Sequence, residues 1–212
     1  MPLVDRDGVK LHYEETGTGD AIVWLHEFAA DGRTWEAQVR RFSRDYRCIA
    51  YNARGYPPSD IPEDDDAYGY EQQRDDLIGL MDALGIERAH LVGLSMGAYT
   101  ALHAAMAYPH RVRSVVFSSG GSGAYRPDRE RFLRDMSAAA DRMLEQGMDA
   151  VADGIAAGPT RIRLHEKDPR GWAEFRRYLG EHSATGSALT MKNFQGRRPS
   201  LYDFEGKLRT LE

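Results

Sequence analysis

Four short apolar runs constrain this chain more than any other feature. They are "AIVWLH" (21–26), "RCIAYN" (47–52), "AHLVGL" (89–94) and "VRSVVFSS" (112–119). Each is strand-length and mostly apolar, as strands buried on both faces are. Between them lie segments of helical period. "GRTWEAQVRRF" puts Trp35, Val39 and Phe42 on one face, and "YEQQRDDLIGLMDALG" does the same with Leu77, Leu80, Met81 and Leu84. Gly85 stands where a left-handed helix cap belongs. "SMGAYTALHAAMAY" reads as a third helix, stopped by Pro109. Strands alternating with helices predict an α/β fold, with a mainly parallel sheet and helices on both faces. "VKLHYEETG" (9–17) alternates apolar and polar residues and adds a half-exposed antiparallel strand.

After residue 123 no further strand is expected. Phe132, Met136, Ala139 and Met143 space as one amphipathic helix and Trp172, Phe175 and Leu179 as another; "ALTMKNF" and "LYDFEGKLRTL" offer two short ones. The expected organisation is a core over 1–123, a helical cap or lid over 124–205 entered through "SSGGSG", and the start of a return to the core over 206–212.

The chemistry centres on "GLSMG" (93–97), which matches the G-x-S-x-G nucleophile elbow. A serine on a tight strand-to-helix turn projects above the sheet edge, near the helix N-terminus. The flanking Gly93 and Gly97 leave room for strand and helix to approach. The bland reading of Ser95 is a helix cap; the strand before it and the helix after it favour the elbow. An acyl-transfer nucleophile needs N–H donors aimed at the developing oxyanion. Met96, directly after the serine, supplies one, and Phe28, in the loop after "AIVWLH", supplies the second.

The segment from about Leu3 to Val116 resembles the α/β-hydrolases. The matching motifs are "WLHEF", "YNARGYPPSD", "HLVGLSMG" and "AYPHRVRSVVF", in the family's order and spacing. The Phe28 and Met96 pair is similar to the oxyanion hole of the esterase and haloperoxidase-like perhydrolase branch. The resemblance implies a capped serine hydrolase that takes a small to medium ester or related acyl substrate through an acyl-enzyme on Ser95. Perhydrolysis and carbon–carbon bond hydrolysis are neighbouring chemistries. Serine, rather than aspartate, at the elbow argues against haloalkane dehalogenase or epoxide hydrolase chemistry, which uses a carboxylate nucleophile in this fold.

Two departures stand out. His26 is followed by Glu27, where the family pattern has glycine. A carboxylate there either points away from the oxyanion site or alters it, and His26 itself is read as a structural residue that shapes the loop. Second, a serine needs an adjacent base, and the family order is nucleophile, acid, histidine. The strands expected to carry the acid and the histidine are not evident, so the 212 residues are expected to be less than the complete functional unit. The candidates within the chain are Asp128 as the acid, and His165 or His182, from the cap, as the base. A second reading follows: a catalytically silent ligand-binding or interaction module that keeps the hydrolase core. Under either reading, without the strands expected beside it the strand at 112–119 is expected to be an exposed apolar edge, open to self-association or to a C-terminal fragment.

The remaining composition is unremarkable. A net charge of -5 gives no electrostatic case for nucleic acid or a membrane surface. No apolar run approaches membrane-spanning length, and "MPLVDRDG" carries charges where a signal peptide is apolar. A single cysteine, Cys48, excludes an internal disulfide and suits a cytoplasmic setting. No cofactor or metal is expected; the acidic run Glu63 to Asp66 reads as a solvated loop.

Overall fold

The computed structural model describes residues 1–211, so Glu212 of the expected return segment lies outside the described residues. Six strands form one sheet: β1 (Leu3–Arg6), β2 (Val9–Thr16), β3 (Ala21–Leu25), β4 (Arg47–Tyr51), β5 (Ala89–Leu94) and β6 (Val112–Ser118), in the order β1-β2-β4-β3-β5-β6. β1 and β2 are antiparallel, and β2 joins β4 antiparallel; β4, β3, β5 and β6 are parallel. β1 is an element the sequence reading left out. Its hairpin turns at Asp7-Gly8, both with positive φ, the geometry that an Asp-Gly pair favours.

Burial follows strand position. β3, in the centre, is buried at every residue, and β4 at all but its first. β6 has the same apolar composition but lies at the sheet edge. Val116 and Phe117 point to opposite faces, as successive strand residues do, and both are exposed. Its composition would suit a buried strand, but with no strand beside it among the described residues it is the exposed apolar edge expected from the sequence.

Helices lie on both faces. α1 (Glu36–Phe42) follows a 3-10 turn at Gly32–Trp35 and covers Ile22, Trp24, Cys48 and Ala50 through Trp35 and Val39. Phe42, expected on that buried face, is only partly covered, 40% exposed, with its ring against Trp24. α2 (Tyr70–Ala83) and α3 (Met96–Ala107) bury the other face with Leu77, Leu80, Met81, Tyr99, Ala101 and Ala104. Gly85 has φ +64°, as a left-handed cap requires. The loop after β4 is anchored by a buried bidentate pair, with Arg54 Nε and Nη2 each 2.7 Å from the Asp76 carboxylate on α2.

From residue 129 the described chain is helical: α4 (Arg129–Ala156), α5 (Ile162–Lys167), α6 (Pro169–Gly180), α7 (Ala184–Leu189), a π-helical turn (Thr190–Gln195) and α8 (Glu205–Leu208). α4 is much longer than its four marker residues suggested and is interrupted at Gly147 (φ +76°). These helices pack over the loops that leave the C-terminal ends of β3 and β4. The acidic run stays exposed, except that Asp65 accepts from Lys192 Nζ at 2.9 Å and from Asn193. The chain then comes back against α3, with Phe194 on Tyr99 and Phe204 on His103.

Candidate active site

Ser95 sits at the junction of β5 and α3 with φ +50° and ψ -107°. That combination is outside the regions L-residues favour and costs on the order of 1–3 kcal/mol. It persists because its neighbours over-determine it. The Ser95 N–H donates to the Ser118 carbonyl at 2.8 Å, its own carbonyl accepts from Tyr99, and Gly97 N–H donates to the His26 carbonyl at 3.1 Å. A Cβ on Gly97 would overlap the Leu25 carbonyl, and one on Gly93 would overlap the backbone of Gly97 and Ala98. Only glycine permits this approach of strand to helix.

The Gly97–His26 bond brings the start of α3 against the end of β3, so Met96 and the Glu27–Phe28 turn share one corner of the sheet. Neither the Phe28 nor the Met96 N–H has an acceptor among the described residues. The Met96 side chain turns into the core, where its sulfur receives Tyr56 Oη at 3.8 Å and Gln73 Nε2 at 3.7 Å. Phe28 packs edge-on against Tyr56.

His26 is buried. Its Nδ1 donates to the Glu27 carbonyl at 2.8 Å, and its Nε2 accepts from Ala53 N–H at 3.1 Å. Since a carbonyl only accepts and an amide only donates, these partners fix the neutral tautomer. Burial pushes the imidazole pKa down to about 4. His26 thus ties the loop after β3 to the loop after β4.

Glu27 turns to the helical segment and pairs with Arg161, just before α5. Burial raises its carboxyl pKa, and the Arg161 charge pulls it back. This partner is 134 residues away, and nothing in the spacing of the sequence announces it.

The structure does not bring the acid and base candidates to Ser95. Asp128 is exposed and pairs with Arg131 at 3.2 Å. His165 is exposed, its ring 4.5 Å from Trp172. His182 is buried, edge-on to Tyr56, with Nε2 3.4 Å from Asp31 Oδ2. Asp31 was not singled out by the sequence. Burial acts to raise its pKa, but His182 and the chelating Arg33 outweigh that and hold the carboxyl below its usual range. Among the described residues no imidazole or carboxylate hydrogen-bonds to the Ser95 hydroxyl.

The profile of the family described as alpha/beta hydrolase fold matches residues 20–200. The chain is 40% identical over 119 residues to a 2-hydroxy-6-oxo-6-phenylhexa-2,4-dienoate hydrolase of Comamonas testosteroni, covering 54% of this chain and 41% of that protein. It is 41% identical over 110 residues to an epoxide hydrolase of Caballeronia sordidicola, covering 51% and 33%. The chain thus spans less than half the length of these curated relatives. Among solved structures it resembles the enol-lactonase from Burkholderia xenovorans LB400, with TM-score 0.79, 26% identity, and 94% of this chain and 75% of that chain covered. It also resembles a thermophilic esterase from Thermogutta terrifontis, with TM-score 0.81, 25% identity, and coverage of 95% and 73%.

Proposed function

The chain belongs to the alpha/beta hydrolase fold family, and on that premise we propose that it acts on a small to medium ester or related acyl substrate through an acyl-enzyme on Ser95. The observation that carries this reading is the backbone of Ser95 at φ +50°. A helix cap needs no such conformation, since cap residues are ordinarily extended; a serine held out at an elbow does.

In this mechanism Ser95 Oγ attacks the carbonyl carbon, and the carbonyl oxygen takes the negative charge. The N–H groups of Phe28 and Met96, free of internal acceptors, stabilise that oxyanion. Collapse expels the alcohol or other leaving group, and water then attacks the acyl-enzyme along the same path. The relatives include an enol-lactonase, an esterase and a dienoate hydrolase, which supports a hydrolytic reaction at a carbonyl. The epoxide hydrolase relative does not extend to ring-opening here, because that chemistry uses a carboxylate at the elbow and this chain has Ser95. One base takes the serine proton and returns it to the leaving oxygen, then takes a proton from the attacking water and returns it to Ser95 Oγ; it is assigned to a histidine from the part of the relatives' length that this chain does not span. The helices from residue 129 serve as a cap.

A second reading has its own observation: no base reaches the Ser95 hydroxyl among the described residues, which suits a ligand-binding module without turnover. Chromogenic acyl esters separate the two. In a reading frame carrying the additional length of the relatives, hydrolysis lost in Ser95→Ala supports the acyl-enzyme; ester binding without Ser95-dependent release supports the binding module.

A further inference from the structure

Besides the His182–Asp31 contact, two guanidinium–carboxylate bridges cross between the loop after β3 and the helical segment, in opposite senses. Glu27 on the loop pairs with Arg161 of the segment, and Arg33 on the loop pairs with Glu181 of the segment at 2.6 Å. Each guanidinium also lies over an aromatic ring of α6: Arg161 4.4 Å from Phe175, and Arg33 3.8 Å from Tyr178. Glu27, Arg33, Arg161, Phe175 and Tyr178 all line one cleft of about 450 Å³ between loop and segment.

The bridges are not equivalent. The side chains of Arg33 and Glu181 are 41% and 46% exposed, and such pairs contribute little. Those of Glu27 and Arg161 are each 18% exposed, so loss of either leaves a poorly solvated charge. Glu27 is also the pivot of its loop, because its carbonyl accepts from both His26 Nδ1–H and Ala30 N–H. Its charge sits one residue from Phe28.

We infer that Arg161 is a positioning residue: by pairing with Glu27 it makes the conformation and charge of the loop that carries the Phe28 N–H depend on docking of the helical segment. With the segment docked, the Glu27 carboxylate is compensated. With the segment lifted, it stands unpaired beside the site where an oxyanion has to form. The glycine-to-glutamate departure is then a coupling device and not a defect. The inference rests on the Phe28 reading for the role of the loop, but not for the coupling itself.

Hydrogen–deuterium exchange on the full chain tests it without turnover. In Arg161→Ala, the Ala30 amide, which donates to the Glu27 carbonyl, exchanges roughly fivefold or more faster, matched by Glu27→Gln and not exceeded by the double variant. Arg161→Lys and the exchanged pair Glu27→Arg with Arg161→Glu recover most of the protection. Peptides from β5 and α2 stay at wild-type rates, which reports an intact fold. If Arg161→Ala unfolds the chain, the lysine variant and the exchanged pair carry the test. Unchanged exchange at Ala30 in a folded Arg161 variant, additive single effects, or an exchanged pair as fast as Arg161→Ala overturns the inference. Failure of Ser95 to react would remove the catalytic meaning of the loop while leaving the measured coupling standing.

Discussion

The amide of Gly97 donates to the carbonyl of His26 at 3.1 Å. This one backbone bond joins the turn that presents Ser95 to the loop that carries Phe28. It forms only because a methyl group is absent from Gly97, whose Cα sits against the Leu25 carbonyl. Gly97→Ala is expected to cost about 3 kcal/mol, since the clash is with backbone that cannot turn aside. A urea titration gives the value; a cost under about 1 kcal/mol would mean that the junction relaxes easily.

The Arg54–Asp76 pair supports the neighbouring loop. Both side chains are almost fully buried, 4% and 2% exposed. Asp76→Ala strands the guanidinium and is expected to destabilise the fold by about 3–5 kcal/mol, read as a drop in the denaturation midpoint. Asp76→Asn, which keeps an acceptor, should cost less.

Acid should weaken the fold through two buried histidines. His26 is pushed down to about 4 by burial, and His103 to about 4 by burial and by the nearby Arg74, Lys207 and Arg198 charges. Between pH 6.5 and about 4 the unfolded chain binds protons that the folded chain refuses. Their contribution is therefore fully present above pH 6.5 and is lost as pH falls toward 4, by up to about 3 kcal/mol for each histidine. His103→Phe removes one of the two and should flatten the stability profile over this window. A profile identical to wild type would contradict the assignment.

The uncovered strand β6 predicts association. Val116 and Phe117 are 52% and 39% exposed on opposite faces of an edge strand, a template for pairing with another chain. We propose self-association there. Val116→Lys with Phe117→Glu is expected to lower the concentration-dependent mass seen by light scattering. Association that persists unchanged would locate the contact elsewhere.

The elements were legible where local signals agree. The apolar runs, the 3-4 periodicity of α2 and the glycines around Ser95 all report backbone geometry within a few residues, and the strand–helix alternation carries directly to a parallel sheet. β6 is legible only in two steps: its composition reports what a strand could bury, and the lack of an evident further strand in the sequence marks it as the exposed edge that it is. Long-range side-chain partners were not legible. Glu27 reads as an intrusion until Arg161 is seen beside it, and Asp31 carries no mark of its contact with His182. The acidic run is largely exposed, as its composition suggests, but the pairing of Asp65 with Lys192, 127 residues on, leaves no local mark. Asp7-Gly8, by contrast, was a readable hairpin signal for β1.

The most direct test is labelling with a fluorophosphonate probe, with the modified residue located by mass spectrometry. In a reading frame carrying the additional length of the relatives, the account predicts stoichiometric modification of Ser95, abolished in Ser95→Ala. In the 212-residue chain, where no base among the described residues reaches the hydroxyl, it predicts labelling at a small fraction of that rate. Absence of Ser95 labelling in the longer frame would contradict the assignment of Ser95 as a nucleophile.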